Sequence, residues 1–566
     1  MTAPLLSIVM PVFNVAAYLE AAVLSVLNGE FSNFELIIVN DASTDESLAV
    51  AQLFETIDDR VRIVNLRYNT LGGAGVPSNI GIEHSRGEYI GFVDSDDFLS
   101  ARSLAQMMLE IQHHAADVCI GNFRTFRDDT KNISAPYDAP IWAALPKNRP
   151  LDPRKWLSVF RTSPVPWRKI YRRSFLEKHA IRFPEVDSFF EDNPLHWDVL
   201  SAARSVVFVD TFISYHRMAR PGQTMSANSP QLSAFFQHMT SIAQAIHKNE
   251  AHFVWGEFLH FIFETRWIVA RQKDMRIASQ FQRRFFQFMH DHVLPHIGAE
   301  HAARAKTILD RHEAHYRHIE ISIVIFAPQR DEQLDATMRS ILALGDCEIE
   351  VMLLCQDEAM QIDPVWGEVT TIFTRNNPAK SYNLATPLCS GHLIAYLRAG
   401  DLVNGAAIRA LLRDPAIKDT DVIQSKDDPE KPEWQVLAGL YRRRFIQDSA
   451  LYFGPSDNGE FSFNIMSALL AQKLEVSEYA LITRKVPGSK PTELDQIMSE
   501  SSNVLQRVRH LHLRDEDMKS ILDKISDYMT GAEEIVTLDT MKDLELSRNY
   551  MISQIVPAFS EIKGAA

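Results

Sequence analysis

Three aspartates, Asp94, Asp96 and Asp97, stand together directly after a short apolar run at residues 89–93. Like charges at this spacing repel one another and resist desolvation unless a cation lies among them. Carboxylate oxygens at the end of a strand suit Mg²⁺ or Mn²⁺, and such an ion is usually shared with a phosphate group. Taken alone, an acidic cluster of this kind is more often a solvated turn, so the surrounding elements have to decide between the two interpretations.

The first hundred residues alternate between apolar runs and segments in which apolar residues recur at helical spacing. This alternation predicts an α/β fold with a parallel sheet and right-handed crossovers. Residues 43–46 (STDE) predict a capping box before the second helix. A glycine-rich loop, residues 71–75, precedes a short helix around Asn79. The runs predicted as strands are residues 5–13, 34–39, 61–66 and 89–93.

Polar side chains follow three of these strands at their carboxyl ends, namely Asn14, Asp41 and Asp94. Ligands of open α/β sheets bind outside the carboxyl ends of the strands, so these side chains predict a binding site on one rim. A buried carboxylate at Asp41 can accept the N3–H of uracil, Asp94 can accept a ribose hydroxyl, and Asp96 can hold a metal on a diphosphate. Asp41 is equally well explained as a group that stabilises the following helix through its dipole.

The segments SIVMPVFN and FELIIVNDASTDES, followed by residues 79–97, resemble the nucleotide-binding half of a family 2 glycosyltransferase with the GT-A fold. The acidic DXD motif, Asp94-Ser95-Asp96, is intact. The second motif keeps one of two aspartates, and Ser78 stands where the family often has an arginine. The resemblance implies a divalent cation, Mn²⁺ or Mg²⁺, at Asp94 and Asp96. It also implies a nucleotide-sugar site formed by Pro11, Phe13, Asn14, Asp41, Asn79, Asp94 and Ser95.

The same resemblance implies that residues 166–226 form the acceptor side and that Glu191-Asp192 supply the general base. Inverting transfer needs one carboxylate that takes the proton of the acceptor hydroxyl, so we expect Asp192 as the base, with Glu191 orienting or substituting for it. The alternative is an acidic pair stabilised by a helix dipole. His216 is interpreted as a packing or hydrogen-bonding residue rather than a metal ligand, because no second histidine or cysteine has ligand spacing. The acceptor-side candidates are Trp167, Lys169 and Arg217. Trp167 is almost as well explained as a core residue, and Lys169 and Arg217 are equally well explained as part of a solvated basic surface.

The chain repeats part of its own pattern after a stretch of aromatic helices at residues 231–316. Residues 383–401 align without a gap to residues 79–97, which indicates a duplicated α/β unit. The copy lacks the acidic chemistry, because Arg398, Ala399 and Gly400 stand where the first unit has Asp94, Ser95 and Asp96. Only Asp401 keeps its charge, and Gln356 stands at the position of Asp41.

We therefore predict four regions. Residues 1–230 form a catalytic GT-A domain, residues 231–318 are helical, residues 319–485 form a degenerate and non-catalytic GT-A-like domain, and residues 486–566 are C-terminal helices. Residues 405–485 carry no pattern that assigns their elements. The C-terminal helices are a candidate for oligomerisation, although docking on their own chain is the simpler interpretation.

Composition narrows the class of protein. The net charge of −15 argues against nucleic acid as a partner. The four cysteines form no CxxC pair, so neither a zinc site nor a disulfide framework is indicated. We find no signal peptide and no apolar run long enough to cross a bilayer. These features predict a cytoplasmic protein, with peripheral association at the inner face of the membrane left open.

The function predicted from these observations is metal-dependent, inverting transfer of a hexosyl or N-acetylhexosaminyl group from a UDP-sugar to a glycan or glycolipid. The family resemblance implies bacterial surface polysaccharide or glycoconjugate synthesis as its context. A sugar-1-phosphate nucleotidyltransferase is one alternative, but it needs a basic, glycine-rich triphosphate loop near the first strand, and VFNVAAYLE offers none. A non-catalytic carbohydrate-binding or scaffold protein is the other, and the intact carboxylates argue against it.

Overall fold

The computed structural model describes residues 3–70, 72–100, 102–186, 190–218, 229–425, 439–456 and 459–484, with scattered positions between 499 and 524. The chain divides into two compact units, Met1–Tyr316 and Arg317–Ala566. The linker and helices predicted for residues 486–566 lie almost entirely outside the described residues.

The first unit is built on one large sheet. Its strands carry apolar residues that are covered on both faces, and all seven residues of the second strand are buried. The strands are Leu6–Val12 (β1), Phe34–Asn40 (β2), Val61–Asn65 (β3), Tyr89–Phe92 (β4), Phe98–Leu99 (β5), Val118–Arg127 (β6), Ile133–Ser134 (β7), Pro150–Leu151 (β8), Lys169–Arg172 (β9) and Val206–Met218 (β10).

Helices cross between these strands and a further group of helices follows them. Those that belong to the sheet region are Ala16–Leu27 (α1), Ser47–Ile57 (α2), Gly75–Glu83 (α3), Ser103–His113 (α4), Ala139–Ala144 (α5), Arg173–Lys178 (α6) and Asp192–Ala202 (α7). Those that follow it are Ala234–Lys248 (α8), Trp255–Glu264 (α9), Trp267–Ala270 (α10), Met275–Phe288 (α11) and Ala302–His312 (α12).

The main path of the sheet runs β3-β2-β1-β4-β9-β6-β10-β5. The four predicted strands pair in parallel, as β3-β2-β1-β4, and the α/β class is confirmed. The chain leaves β1 toward β2 and β3 and later returns to the other side of β1 as β4. Such a reversal of strand order is where open α/β sheets bind ligands. The carboxyl ends of β1, β2 and β4 carry the predicted polar residues.

The helices after β10 pack against the sheet region, as their aromatic density predicts. The ring of Trp197 on α7 meets the ring of Phe258 on α9 edge to face at 5.4 Å between centroids. An ion pair joins Lys248 on α8 to Asp198 on α7 at 2.6 Å. These aromatic helices therefore complete the core of the first unit. None of the helices in the described part of the chain combines the length and apolar character needed to cross a membrane.

The second unit has a sheet of the same construction, and its main path runs β13-β12-β11-β14-β17-β16-β18. The strands are Ile321–Phe326 (β11), Ile349–Cys355 (β12), Val369–Phe373 (β13), Leu393–Arg398 (β14), Leu402–Val403 (β15), Val422–Gln424 (β16), Gly439–Arg442 (β17), Leu474–Val476 (β18) and Ile482–Thr483 (β19). The α-helices are Glu332–Leu342 (α13), Pro378–Ala385 (α14), Gly405–Leu412 (α15), Arg443–Asp448 (α16) and Glu460–Leu470 (α17).

The duplication predicted from the sequence is visible in matching hydrogen bonds. In the first unit the hydroxyl of Ser7 donates to Glu35 Oε1 at 2.7 Å, and the amide of Gly87 donates to Ser7 Oγ at 2.8 Å. In the second unit Ser322 donates to Glu350 in the same way, and Gly391 N donates to Ser322 Oγ at 2.8 Å. Both units thus join the start of the fourth strand to the first two strands through one buried carboxylate.

One local prediction was wrong. Residues 43–46 do not form a capping box, because Ser43 Oγ accepts from the amide of Asn14 and helix α2 begins only at Ser47. Asp45 accepts instead from the amides of Ser47 and Ala16, at 3.0 Å each. The loop therefore joins the ends of β1 and β2 before it starts the helix.

Candidate active site

The acidic cluster lies where β4 ends, and a distant strand brings a histidine to it. The amide of Asp97 donates to the carbonyl of Asp94 at 3.1 Å, which folds the aspartates into a tight turn. Strand β5 follows at once and pairs with β10, with Phe98 opposite Tyr215. This register sets His216 beside Asp97. One ligand atom from each of Asp94, Asp97 and His216 lies within 4.8 Å of the other two.

His216 is held from two sides. Its Nδ1 lies 2.9 Å from Asp97 Oδ2, and its ring stacks on the indole of Trp167 at 5.3 Å between centroids. These contacts fit the packing and hydrogen-bonding role expected of His216, but a ligand atom of the same ring also lies beside those of Asp94 and Asp97. Burial lowers the pKa of His216, but the charges of Asp97, Asp94 and Asp96 outweigh burial and raise it to about 9. In the absence of another cation, the imidazolium supplies positive charge to this cluster.

The positive charge within the cluster is too small to balance its carboxylates. Burial raises the pKa of Asp94 well above its ordinary value, and the charges of Asp97, Asp96 and Asp192 raise it further. Burial raises the pKa of Asp97 as well, against the opposing effect of His216. Two carboxylates and an imidazole at this spacing form a hard donor set that a divalent cation fits. The donor chemistry of the rim therefore agrees with the predicted metal.

Asp96, the other predicted metal ligand, lies in the same turn and is 9% exposed. Its carboxylate is outside the group of three with converging ligand atoms. Its backbone carbonyl accepts from Arg217 Nε at 2.8 Å. The structure therefore brings Asp97 and His216 close to Asp94 as candidate cation ligands, and His216 is the one that the sequence reasoning disfavoured.

Glu191 and Asp192 stand at the start of α7 and face the same rim. The carboxylate of Glu191 accepts hydrogen bonds from the backbone of Ala74 and Gly75 in the glycine-rich loop. A Cβ at Gly73 would come within 2.6 Å of Glu191 Oε1, so a side chain at this position would displace the Glu191 carboxylate. Glu191 is buried, and this position makes it a residue that holds the loop.

Asp192 is partly buried and differs from Glu191 in its surroundings. Burial raises the pKa of Asp192 to about 6, while the positive charges of Lys169 and His216 oppose this rise. Burial and the charge of Asp192 raise the pKa of Glu191 to about 7. A carboxylate with a pKa near neutrality accepts a proton more readily than an ordinary one, as a general base requires.

The nucleotide side of the rim is centred on Asp41, which is buried at the end of β2. Thr70 donates to it twice, from the amide to Oδ1 and from the hydroxyl to Oδ2, at 2.8 Å each. Asn69 Nδ2 donates to Oδ2 at 3.1 Å. Burial raises the pKa of Asp41 to about 6 despite these hydrogen bonds. The carboxylate is thus fixed in direction before any ligand arrives.

The remaining predicted donor residues lie around the ends of β1 and β4. Phe13 and Asn14 are exposed, Pro11 is half-buried, and Ser95 is buried in the turn of the acidic cluster. Asn14 has a φ of +51°, and its Oδ1 accepts from the amides of Thr44 and Asp45. This side chain ties the β1 loop to the β2 loop, and the exposed ring of Phe13 is 45% accessible beside it.

Asn79 was predicted to contact the donor, but the structure gives its side chain another task. Asn79 is fully buried, and its amide group exchanges two hydrogen bonds with the backbone of Phe183, at 3.0 Å each. Its second N–H donates to Glu185 Oε1 at 3.0 Å. Both amide hydrogens are therefore used within the chain. Asn383 of the second unit makes the same pair of bonds with Phe453.

Two of the three acceptor-side candidates are buried, and for Trp167 this is the core position that the sequence left open. Trp167 is 3% exposed and Lys169 is 2% exposed, because β9 lies in the middle of the sheet. Lys169 Nζ donates to the carbonyls of Pro164 and Val165, and burial lowers its pKa well below the ordinary value. Neither side chain is exposed at the surface of the first unit. Trp167 instead supports His216, and Lys169 stands near Asp192.

Arg217, the third candidate, is also engaged. Its Nη1 pairs with Asp128 Oδ1 at 2.7 Å, and its guanidinium lies over the ring of Tyr18 at 4.9 Å. Its amide donates to Asp97 Oδ1 at 2.6 Å. Arg217 therefore fixes the acidic turn from β10. The segment from 219 to 228, which was predicted to close the acceptor side, lies outside the described residues.

Comparisons with known proteins fall on this half of the chain. Residues 7–180 match the family model described as glycosyl transferase family 2. The putative glycosyltransferase EpsH of Bacillus subtilis is 31% identical over 221 residues, which cover 38% of this chain and 62% of EpsH. The uncharacterized glycosyltransferase EpsJ of the same organism is 29% identical over 214 residues, 38% of this chain and 61% of EpsJ. The chain thus spans less than two thirds of either relative.

Two further similarities involve TarS of Staphylococcus aureus, a poly(ribitol-phosphate) beta-N-acetylglucosaminyltransferase. Its sequence is 27% identical over 269 residues, which cover 45% of this chain and 44% of TarS. The crystal structure of its first 349 residues in complex with UDP-GlcNAc aligns with 55% of this chain and 91% of that chain, at 22% identity and a TM-score of 0.45.

Proposed function

We propose that the protein is a metal-dependent, inverting glycosyltransferase, because residues 7–180 match the family model described as glycosyl transferase family 2. It transfers a hexosyl or N-acetylhexosaminyl group from a UDP-sugar to a glycan or glycolipid, in bacterial surface polysaccharide synthesis. The observation that supports this proposal is that two sets of carboxylates lie at one rim, namely the acidic cluster at residues 94–97 and the pair Glu191-Asp192. The charge of Asp192 acts on Asp94, and that of His216 acts on Asp192.

Asp94 and Asp96 would hold a divalent cation, Mn²⁺ or Mg²⁺, together with His216. Asp97 supports this assignment because it accepts from His216 Nδ1, and a carboxylate on one ring nitrogen is the usual partner of a metal-binding histidine. When bound, such a cation supplies positive charge to the departing diphosphate.

Asp192 is the proposed general base. It takes the proton of the acceptor hydroxyl as the sugar migrates, and its raised pKa suits that transfer near neutral pH. Glu191 is a positioning residue in this scheme, because its carboxylate holds the backbone of Ala74 and Gly75 against the rim.

Asp41 is the proposed base-recognition residue of the donor site. Its carboxylate is oriented by Asn69 and Thr70 and has lone pairs left to accept the N3–H of uracil. Pro11, Phe13, Asn14 and Ser95 complete the donor side, whereas Asn79 enters the proposal as a brace and not as a contact. In this scheme the base lies at the end of β2 and the ribose and diphosphate lie at the end of β4, with β1 between these two strands.

The second unit is proposed to be non-catalytic. Arg398 stands at the position of Asp94, and its Nη2 pairs with Glu460 Oε1 at 3.0 Å. A guanidinium among the carboxylates takes the place that a divalent cation needs. The unit therefore has a structural or glycan-holding role in this scheme.

The proposal is tested by measuring UDP release and UDP binding with a panel of UDP-sugars, with and without Mn²⁺. We expect saturable release that requires the metal, and we expect Asp96→Ala to remove metal-dependent UDP binding while the fold survives. Asp310→Ala is the matched control, since Asp310 pairs with Lys306 at the exposed surface of α12. Metal-dependent UDP binding by Asp96→Ala equal to that of the wild type would place the donor site elsewhere.

A further inference from the structure

A second concave site lies among the helices of the first unit. It is a pocket of about 550 Å³ that opens widely to solvent. None of its lining residues belongs to the rim described above. Its polar and aromatic lining consists of Glu264, Arg266, Trp267, Gln282, Arg311 and His312.

The pocket carries an excess of positive charge that is held in place. The guanidinium groups of Arg266 and Arg311 lie 4.4 and 4.5 Å from the ring centroid of Phe263. Arg266 also pairs with Glu264 at 3.2 Å. Within the described part of the chain Arg311 has no carboxylate partner. One guanidinium is therefore oriented by an aromatic ring and left without a counter-charge, which is the condition for receiving an anion.

The other polar groups of the pocket are neutral. His312 is buried, and its ring stacks on Phe285 at 5.2 Å between centroids. Burial lowers the pKa of His312 to about 4, with smaller contributions from Arg311 and His315, so the imidazole carries no charge at neutral pH. The amide of Gln282 adds a donor and an acceptor. Neutral groups of this kind suit the hydroxyls of a sugar.

An aromatic surface completes the pocket. Trp267 remains 37% exposed although it is the largest apolar side chain of the lining. Arg271 lies over its ring at 4.6 Å and adds a third positive charge nearby. An exposed indole offers the apolar body and polar edge that stack on a saccharide face. A site that binds only a small inorganic anion does not require this aromatic surface.

The pocket is also joined to the proposed active site by packed rings. Trp267 meets Phe235 edge to face at 5.8 Å, and Phe235 meets Phe190 at 5.0 Å. Phe190 directly precedes Glu191 and has a φ of +73°, a conformation that a bulky residue keeps only when its surroundings fix it. The pocket wall and the catalytic carboxylates therefore share a continuous aromatic support.

We propose that this pocket binds an anionic saccharide, with the sugar ring on Trp267 and its phosphate or carboxylate group on Arg311 and Arg266. The ligand is part of the acceptor glycan, beyond the residue that receives the new sugar. The binding claim stands on the pocket alone, whereas the acceptor role rests on the proposed function. The two are separated because binding to the pocket is measured without transfer.

The test is calorimetric titration of the full chain with glucose 6-phosphate, glucuronate, glucose and inorganic phosphate. We expect one or both charged sugars to bind and glucose to bind at least roughly tenfold more weakly. Arg311→Gln and Trp267→Leu should each weaken binding of the charged sugar by about tenfold. Lys306→Gln is the matched control, because it removes an exposed cation of the same helix, paired with Asp310, outside the pocket.

The titration distinguishes a phosphate group from a carboxylate group as the anionic group of the ligand. Binding of glucose 6-phosphate alone assigns a phosphate-bearing glycan, and binding of glucuronate assigns a uronic acid. Equal binding of inorganic phosphate and glucose 6-phosphate would reduce the site to a simple anion site and overturn the proposal. Unchanged binding in a folded Arg311→Gln variant would overturn it too, as would binding of anionic vesicles, lost in that variant, with no binding of either sugar.

If the proposed function is wrong, the transfer and binding experiments give a different combination of results. If Asp192→Asn keeps full transfer while the charged sugars still bind in an Arg311-dependent manner, the pocket stands and the catalytic assignment falls. If both hold, Arg311→Gln should raise the KM for a charged acceptor and leave kcat and the KM for the UDP-sugar near their wild-type values.

Discussion

The two α/β units of this chain share an architecture and differ in how their rims balance charge. Strand β5 follows Asp97 and pairs with β10, and strand β15 follows Asp401 and pairs with β19. The registers place Arg484 of the second unit where the first has His216. The rim of the first unit thus holds Asp94, Asp97, Asp192 and His216, and the corresponding residues of the second are Arg398, Asp401, Glu460 and Arg484.

The charged side chains of the second rim form ion pairs with one another. Arg398 Nη2 pairs with Glu460 Oε1, and Arg484 Nη1 pairs with Asp401 Oδ2, each at 3.0 Å. All four side chains are at most 13% exposed. Two guanidinium groups match two carboxylates, so no charge is left for a ligand. The first rim has three aspartates and Asp192, with the positive charges of His216 and Lys169 near them, and in the proposed function a divalent cation would complete its balance.

The units keep in common what builds the fold. Ser7 with Glu35 and Ser322 with Glu350 join the same strands, and Asn79 and Asn383 exchange the same bonds with a phenylalanine backbone. We infer that residues kept in the second unit, which lacks the acidic rim, stabilise the fold. Residues that differ between the two units are the candidates for the reaction. The comparison therefore separates bracing residues from reacting ones without any knowledge of the substrate.

The strongest way to break the comparison is to rewrite the first rim with the residues of the second. Asp94→Arg combined with His216→Arg should abolish transfer, by roughly 10³-fold or more, since metal-ion charge stabilisation contributes several kcal/mol. The stabilisation of the wild type by Mn²⁺ should vanish as well. The reciprocal pair, Arg398→Asp with Arg484→His, should leave transfer unchanged.

Transfer rates and thermal unfolding with and without Mn²⁺ measure this prediction. Circular dichroism shows whether the rewritten rim still folds, and His216→Arg alone is the milder variant if it does not. Transfer at the wild-type rate in a folded double variant would contradict the role assigned to the acidic cluster.

Asp192→Asn is expected to have the next largest effect. The amide keeps the shape of the side chain and removes its basicity, so transfer should fall by roughly 10²-fold or more while UDP binding stays near normal. Glu460→Gln makes the equivalent change in the second unit and should not alter the rate. Initial rates with calorimetric UDP titration separate the two readouts. A full rate in Asp192→Asn would move the base to Glu191 or another group.

Much of this comparison could be predicted from the sequence, because it rests on local patterns. Apolar runs such as residues 34–39 and 349–354 indicate strands covered on both faces. The gapless alignment of residues 383–401 with 79–97 located the duplication and the loss of the aspartates. The turn at Asp94 and the helix start at Asp192 carry their carboxylates in short, recognisable segments. The DXD motif was found for the same reason.

The missed parts depend on long-range pairing. His216 reaches Asp97 only because a two-residue strand pairs across the sheet with β10. Asn69 and Thr70 fix Asp41 from a loop with no pattern of its own. Gly73 was a signal in the sequence that another residue comes close to this loop. Its partner, Glu191, could not be identified because it lies more than a hundred residues away along the chain.

Composition misled the interpretation of Trp167 and Lys169. A basic, aromatic stretch is typical of an exposed binding surface, yet β9 lies between β4 and β6 in the sheet. Lys169 is accommodated because two backbone carbonyls accept its hydrogen bonds. Residues 405–485 carried no signal because their strands, such as Val422–Gln424, are only two to four residues long.

The pH response should sharpen the difference between the rims. Asp192 and Glu191 titrate near 6 and 7, so protonation removes the base, and kcat/KM should fall about tenfold per pH unit below about 6. Their raised pKa values also mean that the folded metal-free unit binds more protons than the unfolded chain. Its stability should therefore decrease as the pH rises from about 5 to 7. Rates and thermal unfolding measured across this range test both statements, and a flat rate profile from pH 5 to 8 would contradict them.

The smallest effect concerns the paired braces, Asn79 and Asn383. Alanine at either position leaves a buried N–H and C=O of Phe183 or Phe453 without partners, which costs about 1–3 kcal/mol for each unpaired group. We expect both variants to lower the urea midpoint of their own unit to a similar extent, while the Kd for UDP stays within about twofold in each. Equilibrium unfolding with UDP titration measures this. A tenfold rise in the Kd for UDP in Asn79→Ala, with an unchanged midpoint, would instead make Asn79 a donor contact. Similar losses in both variants would show that the same amide was retained in the two units for the bracing they share, even though their rims differ in charge.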